Sequence, residues 1–375
     1  MFFKMPSLYI HIPFCLRKCF YCSFAVAVAK EHHADRYVDC VLREAQRYRG
    51  ESIGSLYVGG GTPSLLTETQ LRKLFDGLAG IFSFVPGLEI TLEANPETID
   101  SAKAELLLSS GVNRVSLGAQ TFHEKYLRWM GRTHTAQQAV RAVAVLEAAP
   151  LRNVNVDLMY AFPGETLAEL ESDVKQLMSL DCSHVSLYSL SVEPHSRFFS
   201  RGIQPLPRDI EAVFYEAVRQ NLLRNGYAQY EISNFCRPGR ESFHNKNYWL
   251  GGDYTGLGVG AHSHRRGRRS WNTSQLNAYM AAVEKDAPPE EGYEILTPEQ
   301  QFRETVAFGL RMNQGVDVPR LEARYRMPVP ESLEARVHSL IQEGWLEQES
   351  RAGHRFWRVT DRGRLVLDAL MPYII

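Results

Sequence analysis

The stretch Leu8-Tyr9-Ile10-His11-Ile12-Pro13-Phe14-Cys15-Leu16-Arg17-Lys18-Cys19-Phe20-Tyr21-Cys22 runs a short β-rich segment straight into three cysteines spaced C-x3-C-x2-C. Clustered thiols of this kind read as metal ligands. They are not a disulfide framework, because the other three cysteines, Cys40, Cys182 and Cys236, are scattered along a long chain. A closed tetrahedral zinc site needs a fourth ligand, and His11 is the candidate nearby. An iron–sulfur cluster with three protein ligands needs none, since its fourth iron stays open for a substrate or cofactor, and it is the better fit. The scattered three read as small core or near-surface residues.

Outward from this segment, β-rich runs alternate with helical periodicity. Strands are expected at Leu8–Ile12, Ser55–Val58, Leu88–Leu92, Arg114–Leu117, Asn153–Leu158 and Val185–Leu190. Between them Val38, Val41, Leu42 and Ala45 recur at helical spacing, as do Leu167, Leu170, Val174, Leu177 and Met178. Thr135 with Gln138, and Thr166 with Glu169, read as capping boxes. Six strands alternating with helices predict an α/β fold with a parallel sheet, open or curved, two units short of a closed eight-unit barrel. Next, Arg237–Arg269 is rich in Pro, Gly and Arg, and Asp286-Ala287-Pro288-Pro289-Glu290-Glu291-Gly292 reads as a linker. Thr297 and Pro298 open a second unit of helices, the last over Glu331–Glu343. Trp345–Gln348, a turn at Ala352-Gly353 and Phe356–Val359 follow, a winged-helix-like order.

The 375 residues are 44% hydrophobic and 23% charged, which excludes collagen-like, coiled-coil and disordered classes. Lys+Arg at 42 and Asp+Glu at 43 leave a net charge of −1, so nothing global favours nucleic acid or an anionic membrane. No apolar run approaches the ~18 residues of a membrane span. Met1–Pro6 is too short for a signal peptide, so a cytoplasmic location is expected.

The cysteine motif, placed after an N-terminal strand and before a series of β/α units, resembles that of the radical S-adenosylmethionine (SAM) enzymes. The resemblance implies a partial (β/α)6 radical SAM barrel and a [4Fe-4S] cluster on Cys15, Cys19 and Cys22. It also implies SAM chelated to the open iron, where an electron from the cluster breaks the S–C5′ bond. Gly59-Gly60-Gly61-Thr62-Pro63-Ser64 resembles the family's loop that meets the methionyl amino group; glycines admit close backbone approach and Pro63 stiffens the exit. Within the family, the chain resembles the branch of oxygen-independent coproporphyrinogen dehydrogenases and heme chaperones. That implies SAM contacts from Tyr9, Gly61, Thr62, Glu93 (in Glu93-Ala94-Asn95-Pro96), Gln120 (in Leu117-Gly118-Ala119-Gln120-Thr121-Phe122), Arg132 and Asp157. Carboxylates such as Glu93 and Asp157 can accept ribose hydroxyls or a cationic amine, and Arg132 can pair with a carboxylate.

Two features separate the members of this branch. The dehydrogenases carry a further cysteine two residues after the third, and here that position is Phe24. His244-Asn245-Lys246-Asn247-Tyr248-Trp249 resembles a heme-binding motif of the chaperones, with His244 as axial ligand and Tyr248 and Trp249 as flat surfaces. The resemblance therefore implies a chaperone that binds heme and transfers it to an acceptor hemoprotein, a respiratory one among the candidates. Its rivals are oxidative decarboxylation of coproporphyrinogen III and radical modification of heme. The expected organisation is a barrel over 1–236, a heme-motif segment and linker over 237–292, and a C-terminal helical, winged-helix-like domain over 293–375. Gly256-Leu257-Gly258-Val259-Gly260-Ala261-His262-Ser263 resembles the Gly-rich segment that follows the motif. His264-Arg265-Arg266-Gly267-Arg268-Arg269 is a positive patch with two readings, a contact for propionates or an acidic partner, or a solvated loop. Glu343, Glu347 and Glu349 around the wing argue against DNA.

Overall fold

Alternation along the strands builds the molecule. The computed structural model describes residues 5–24, 26–28 and 31–375, so the reading of the first four residues as part of no leader lies outside the described residues. Six parallel strands lie side by side in chain order: β1 (Ser7–Ile12), β2 (Ser52–Gly60), β3 (Ser83–Ala94), β4 (Arg114–Gln120), β5 (Val154–Tyr160) and β6 (His184–Ser189). All six expected strands are present, most of them longer than expected. One face of each is apolar. Leu8, Ile10, Leu56, Val58, Leu92, Val115, Leu117, Val156 and Val185 have no exposure and pack under the helices that connect the strands. The opposite face is polar on every strand. The register pairs Ser7 with Ser55, Tyr9 with Tyr57, Glu93 with Ser116, and Asp157 with Ser186. Inward residues bond across strands: Ser55 Oγ donates to Ser7 Oγ at 2.8 Å, and Asn155 Nδ2 donates to Ser116 Oγ at 2.7 Å. The sheet curls around this polar file. Asp157 on β5 acts electrostatically on Tyr57 on β2, although three strand spacings would separate them by ~14 Å in a flat sheet.

The connecting helices start where their caps dictate. Thr135 and Thr166 accept from the backbone of Gln138 and Glu169 in complete capping boxes, as read from the sequence, and Thr67 forms a third with Gln70. Among the described residues, no helix is long and apolar enough to cross a membrane.

Among the described residues the sheet is mixed and has twelve strands. Tyr254–Leu257 pairs in parallel with β1, and His262–Arg265, Arg268–Asn272 and Glu290–Ile295 continue from it antiparallel. The expected linker over Asp286–Gly292 is thus partly strand: Glu290–Ile295 is the outermost strand, held by backbone pairing that local Pro and Gly signals hide. The arginine patch is part of this hairpin, and three of its four arginines are ion-paired among the described residues: Arg265 with Glu51, Arg268 with Glu290, Arg269 with Glu294 and Glu304. The Gly-rich segment serves packing. A Cβ on Gly258, whose φ is +103°, would lie 2.4 Å from the Tyr37 hydroxyl. The Gly258 N–H donates to the buried Glu44, which also accepts from Tyr279 and Asn272.

Thr297 caps the helix Pro298–Gly309, with Pro298 in its first turn. Helices Val318–Tyr325 and Glu331–Gln342 follow, then a hairpin of Leu346–Arg351 and His354–Val359 joined by Val316–Asp317. Trp357 is fully buried at the centre of this unit with Phe302, Leu310 and Val337. It docks on the barrel through Arg311, whose guanidinium lies 3.5 Å from the buried Glu231.

Arg114, 1% exposed, projects from β4 into the polar interior. Burial pushes the Glu93 and Asp157 carboxyls above their ordinary range, and the Arg114 cation draws both back down. Arg114→Met is expected to cost about 3 kcal/mol at neutral to mildly alkaline pH. The cost should shrink as pH falls, because carboxyls whose pKa burial has raised protonate and no longer need the cation. Urea unfolding against pH measures it, and a pH-independent loss would make Arg114 a packing residue only.

Candidate functional site

Phe14–Cys15 forms a short parallel bridge with Ala27–Val28, so the cysteine loop leaves β1 and returns beside it. The loop is anchored at Phe20, whose N–H donates to the Met130 carbonyl and whose carbonyl accepts from Phe198 N–H, both at 2.9 Å. Cys15, Cys19 and Cys22 are half-buried free thiols, whereas Cys40, Cys182 and Cys236 are buried in the core, as expected. Burial pushes the Cys15 thiol up to about 11, against a hydrogen bond from Thr62, and Cys19 and Cys22 push it further. Burial also raises Cys22. Burial raises the core thiols Cys40, Cys182 and Cys236 in the same way, so what distinguishes the loop thiols is their position and the donors aimed at them.

Donors aimed at the sulfurs arrive along one polar chain. Thr62 Oγ1 donates to Cys15 Sγ at 3.5 Å and accepts from Asn95 Nδ2 at 3.1 Å. Asn95 Oδ1 accepts from Arg132 Nη2 at 2.7 Å, and Arg132 Nη1 donates to Cys19 Sγ at 3.4 Å. Two of the three thiols are therefore tied through Thr62, Asn95 and Arg132. The sequence reading quoted Asn95 only as part of a motif; its linking role depends on residues from three separate segments. The Arg132 Nε is buried without a partner among the described residues, a donor left over for a ligand. His11, the alternative fourth zinc ligand, instead meets the Tyr9 hydroxyl through Nδ1 at 3.0 Å, and its ring fills the space over Gly60. Among the described residues, no three His, Cys, Asp or Glu side chains converge on a single metal ion. Three thiols with donors directed at sulfur fit a cluster.

The other expected cofactor residues line the same end of the polar interior. Glu93 Oε2 accepts from Gly60 N–H at 2.9 Å, and Oε1 accepts from the Tyr57 hydroxyl at 2.7 Å. The glycine triplet makes this possible: a Cβ on Gly59 would lie 2.8 Å from the Glu93 carboxyl carbon. Gly61 packs its backbone on the Ile12 and Phe14 carbonyls. Tyr9 stacks on Tyr57 with centroids 6.1 Å apart. Asp157 accepts from Asn155 Nδ2 at 2.7 Å and from Ser116 at 3.5 Å. Gln120 ends β4 at φ +68°, a left-handed backbone that costs energy in a non-glycine residue and clusters at functional sites.

The His244 motif lies elsewhere. Ser242 caps the helix Phe243–Trp249, and Glu89 accepts from the backbone N–H groups of Phe243 and His244, both at 2.9 Å. Its side chains meet the N-terminal half of β2. His244 is 1% exposed, with Nδ1 on Ser55 Oγ at 2.9 Å and Nε2 on the Tyr248 hydroxyl at 3.1 Å. It packs on Tyr57 with centroids 4.9 Å apart. Trp249 packs separately, with Tyr230, Cys236 and Met312 and under the Arg311 guanidinium. The three motif residues do not present one surface, and an axial bond from His244 requires Nε2 to leave Tyr248.

Burial lowers the His244 pKa to about 3. The unfolded chain takes up this proton below about pH 6.5. The stability His244 contributes is therefore complete above that pH and lost progressively as pH falls toward about 3. In urea titrations, wild type should lose stability more steeply than His244→Gln between about pH 6.5 and 4. At about pH 8 the variant should be weaker by about 1–3 kcal/mol, because Ser55 or Tyr248 loses its partner.

Residues 9–177 match the Radical SAM superfamily and residues 296–366 match the HemN C-terminal domain. The chain is 36% identical to the heme chaperone HemW of Lactococcus lactis subsp. lactis, over 96% of this chain and 94% of that protein. It is 33% identical to the heme chaperone HemW of Escherichia coli, over 99% of both chains. The solved structure of coproporphyrinogen III oxidase (HemN) from Escherichia coli, a radical SAM enzyme, superposes with a TM-score of 0.85 at 23% identity, covering 99% of this chain and 90% of that one. The cysteine loop, the parallel strands and the winged C-terminal unit thus belong to one architecture, and this chain belongs to the radical SAM superfamily, in the family of proteins named heme chaperone HemW.

Proposed function

We propose that this chain binds heme and passes it to an acceptor hemoprotein in the cytoplasm. In this reading Cys15, Cys19 and Cys22 hold a [4Fe-4S] cluster. Tyr9, Gly61, Thr62, Glu93, Gln120, Arg132 and Asp157 hold SAM. The observation that carries it is likeness to proteins named heme chaperone over nearly the entire chain, the His244 segment included. Phe24 supports it: the ring stands 61% exposed where the dehydrogenase pattern has another thiol.

The cluster, when bound, supplies an electron to SAM, and the protein supplies everything that orients the pair. Thr62 and Arg132 set the thiols by donating to sulfur, and Asn95 couples the two donors. Glu93 is held by Gly60 and Tyr57, and each carboxyl oxygen keeps lone-pair capacity for a ligand amine or hydroxyl. Arg132 offers its spare Nε–H to a carboxylate.

After anaerobic reconstitution, Cys19→Ala should lose the ~400 nm absorbance of thiolate-bound iron–sulfur while Cys182→Ala keeps it. Heme titration followed by incubation with an apo-hemoprotein tests the function. Binding and transfer are expected, together with no protoporphyrinogen from coproporphyrinogen III, SAM and a reductant. Multiple-turnover decarboxylation would overturn the chaperone reading in favour of the dehydrogenase.

A further inference from the structure

β4 ends in a sharp bend. Thr121 N–H donates to the Ala119 carbonyl at 2.9 Å across Gln120, and the register against β5 shifts between Leu117 and Gln120. With Gln120 at φ +68°, this is a three-residue turn of the rare, strained left-handed kind. Such a turn persists only where its surroundings over-determine it. It has a consequence for placement. The Gln120 side chain folds back over Gly118, where a Cβ would lie 2.9 Å from Gln120 Nε2, 3.3 Å from Arg132 Nη2 and 3.3 Å from Asn95 Oδ1. The bend therefore sets Gln120 beside the Thr62–Asn95–Arg132 chain that ties the thiols.

Two sets of bonds hold the bend. On its entry side, Arg132 Nη2 donates to the Gly118 carbonyl at 2.7 Å and His134 Nε2 to the Ala119 carbonyl at 3.1 Å. On its exit side the bonds converge on Asp173, from the helix Leu167–Met178. Asp173 Oδ2 accepts from Thr121 Oγ1 at 2.5 Å, and Oδ1 accepts from Phe122 N–H at 2.9 Å. His123 Nε2 adds a bond to the Glu169 carbonyl of the same helix at 2.9 Å. Asp173 is 1% exposed, and its helical neighbours Leu170, Val174 and Leu177 are buried apolar residues. Packing alone would be served as well by another apolar side chain there, because a buried carboxylate carries a desolvation cost. We propose that Asp173 is a positioning residue for the cofactor site: by holding Thr121 and Phe122 it fixes the bend that aims Gln120 at SAM. This role rests on the reading of Gln120 as a SAM contact. It extends the site to a helix that covers the sheet, and Asp173 acts through the loop rather than by touching the cofactor.

The test measures SAM affinity by equilibrium dialysis, and the EPR spectrum of the reduced cluster with and without SAM, on anaerobically reconstituted protein. Wild type is compared with Asp173→Ala, Asp173→Asn, Thr121→Val and Thr121→Ser. Leu177→Ala, which removes a buried apolar side chain from the same helix, controls for lost stability, and absorbance at ~400 nm checks that each cluster is intact. SAM affinity should fall at least about tenfold in Asp173→Ala, the scale of an outer-shell loss. The EPR change that SAM produces should then need correspondingly more SAM. The fall should be smaller in Asp173→Asn and Thr121→Val, which keep the bond to Phe122 N–H, and Thr121→Ser, which keeps the hydroxyl, should bind better than Thr121→Val. If Asp173→Ala, Asp173→Asn and Thr121→Val all bind SAM as wild type does, the positioning role is overturned. It is overturned equally if Leu177→Ala loses as much affinity as Asp173→Ala. Should Asp173→Ala not fold, Asp173→Asn against wild type and Thr121→Val against Thr121→Ser decide. Wild type that binds no SAM overturns the SAM reading itself.

Discussion

The strands carry the structure's main constraint: each must be apolar toward the helices and polar toward the barrel interior. In a closed eight-unit barrel the interior is filled with branched apolar side chains. Here it holds Ser7, Tyr9, Ser55, Tyr57, Glu93, Arg114, Asn155, Asp157 and Ser186, a file of donors and acceptors from β1 to β6. Such a file is stable only if it is satisfied, because an unpaired buried polar group costs more than a hydrogen bond returns. The file meets this condition only in part, by bonding across strands and by placing the Arg114 cation among the carboxyls; Arg114 Nε and Thr91 Oγ1 stay without a hydrogen-bond partner among the described residues. The same condition leaves capacity at the far end, around Glu93 and Arg132, for a polar cofactor.

That end is where the cysteine loop joins. The loop has little regular structure of its own, and its thiols are positioned by groups from elsewhere: Thr62 after β2, Asn95 after β3, Arg132 beyond β4. The curl of the sheet is what lets three successive strands deliver these groups to one point. Loss of the curl would separate Thr62 from Arg132 and leave Cys15 and Cys19 without their donors. The placing of the thiols and the curl of the sheet are therefore one structural property.

Local patterns were legible in the sequence because they report local physics. Short β-rich runs marked all six strands, S/T-x-x-E/Q marked two helix starts, and thiol spacing marked the cysteine loop. Features settled by distant partners were not legible. Glu290–Ile295 reads as linker because Pro288, Pro289 and Gly292 dominate its window, yet its strand identity comes from pairing with Arg268–Asn272. The arginine patch looked free because its glutamates lie far off in the chain. Asn95 and Arg114 acquire their roles only when other strands arrive beside them. His244 looked like an iron ligand from its motif, but Ser55 and Tyr248, brought in by folding, occupy both of its ring nitrogens.

The His244 segment shows the same dependence on distant partners. Its imidazole lies under Tyr57 with Ser55 and Tyr248 on its two ring nitrogens, so any new bond to the ring must first break one of these. That step is costly, because a buried polar group is left unpaired on the way. As folded, the segment ties β2 to β3: Ser55 on β2 meets the His244 ring, and Glu89 on β3 accepts from the first N–H groups of its helix.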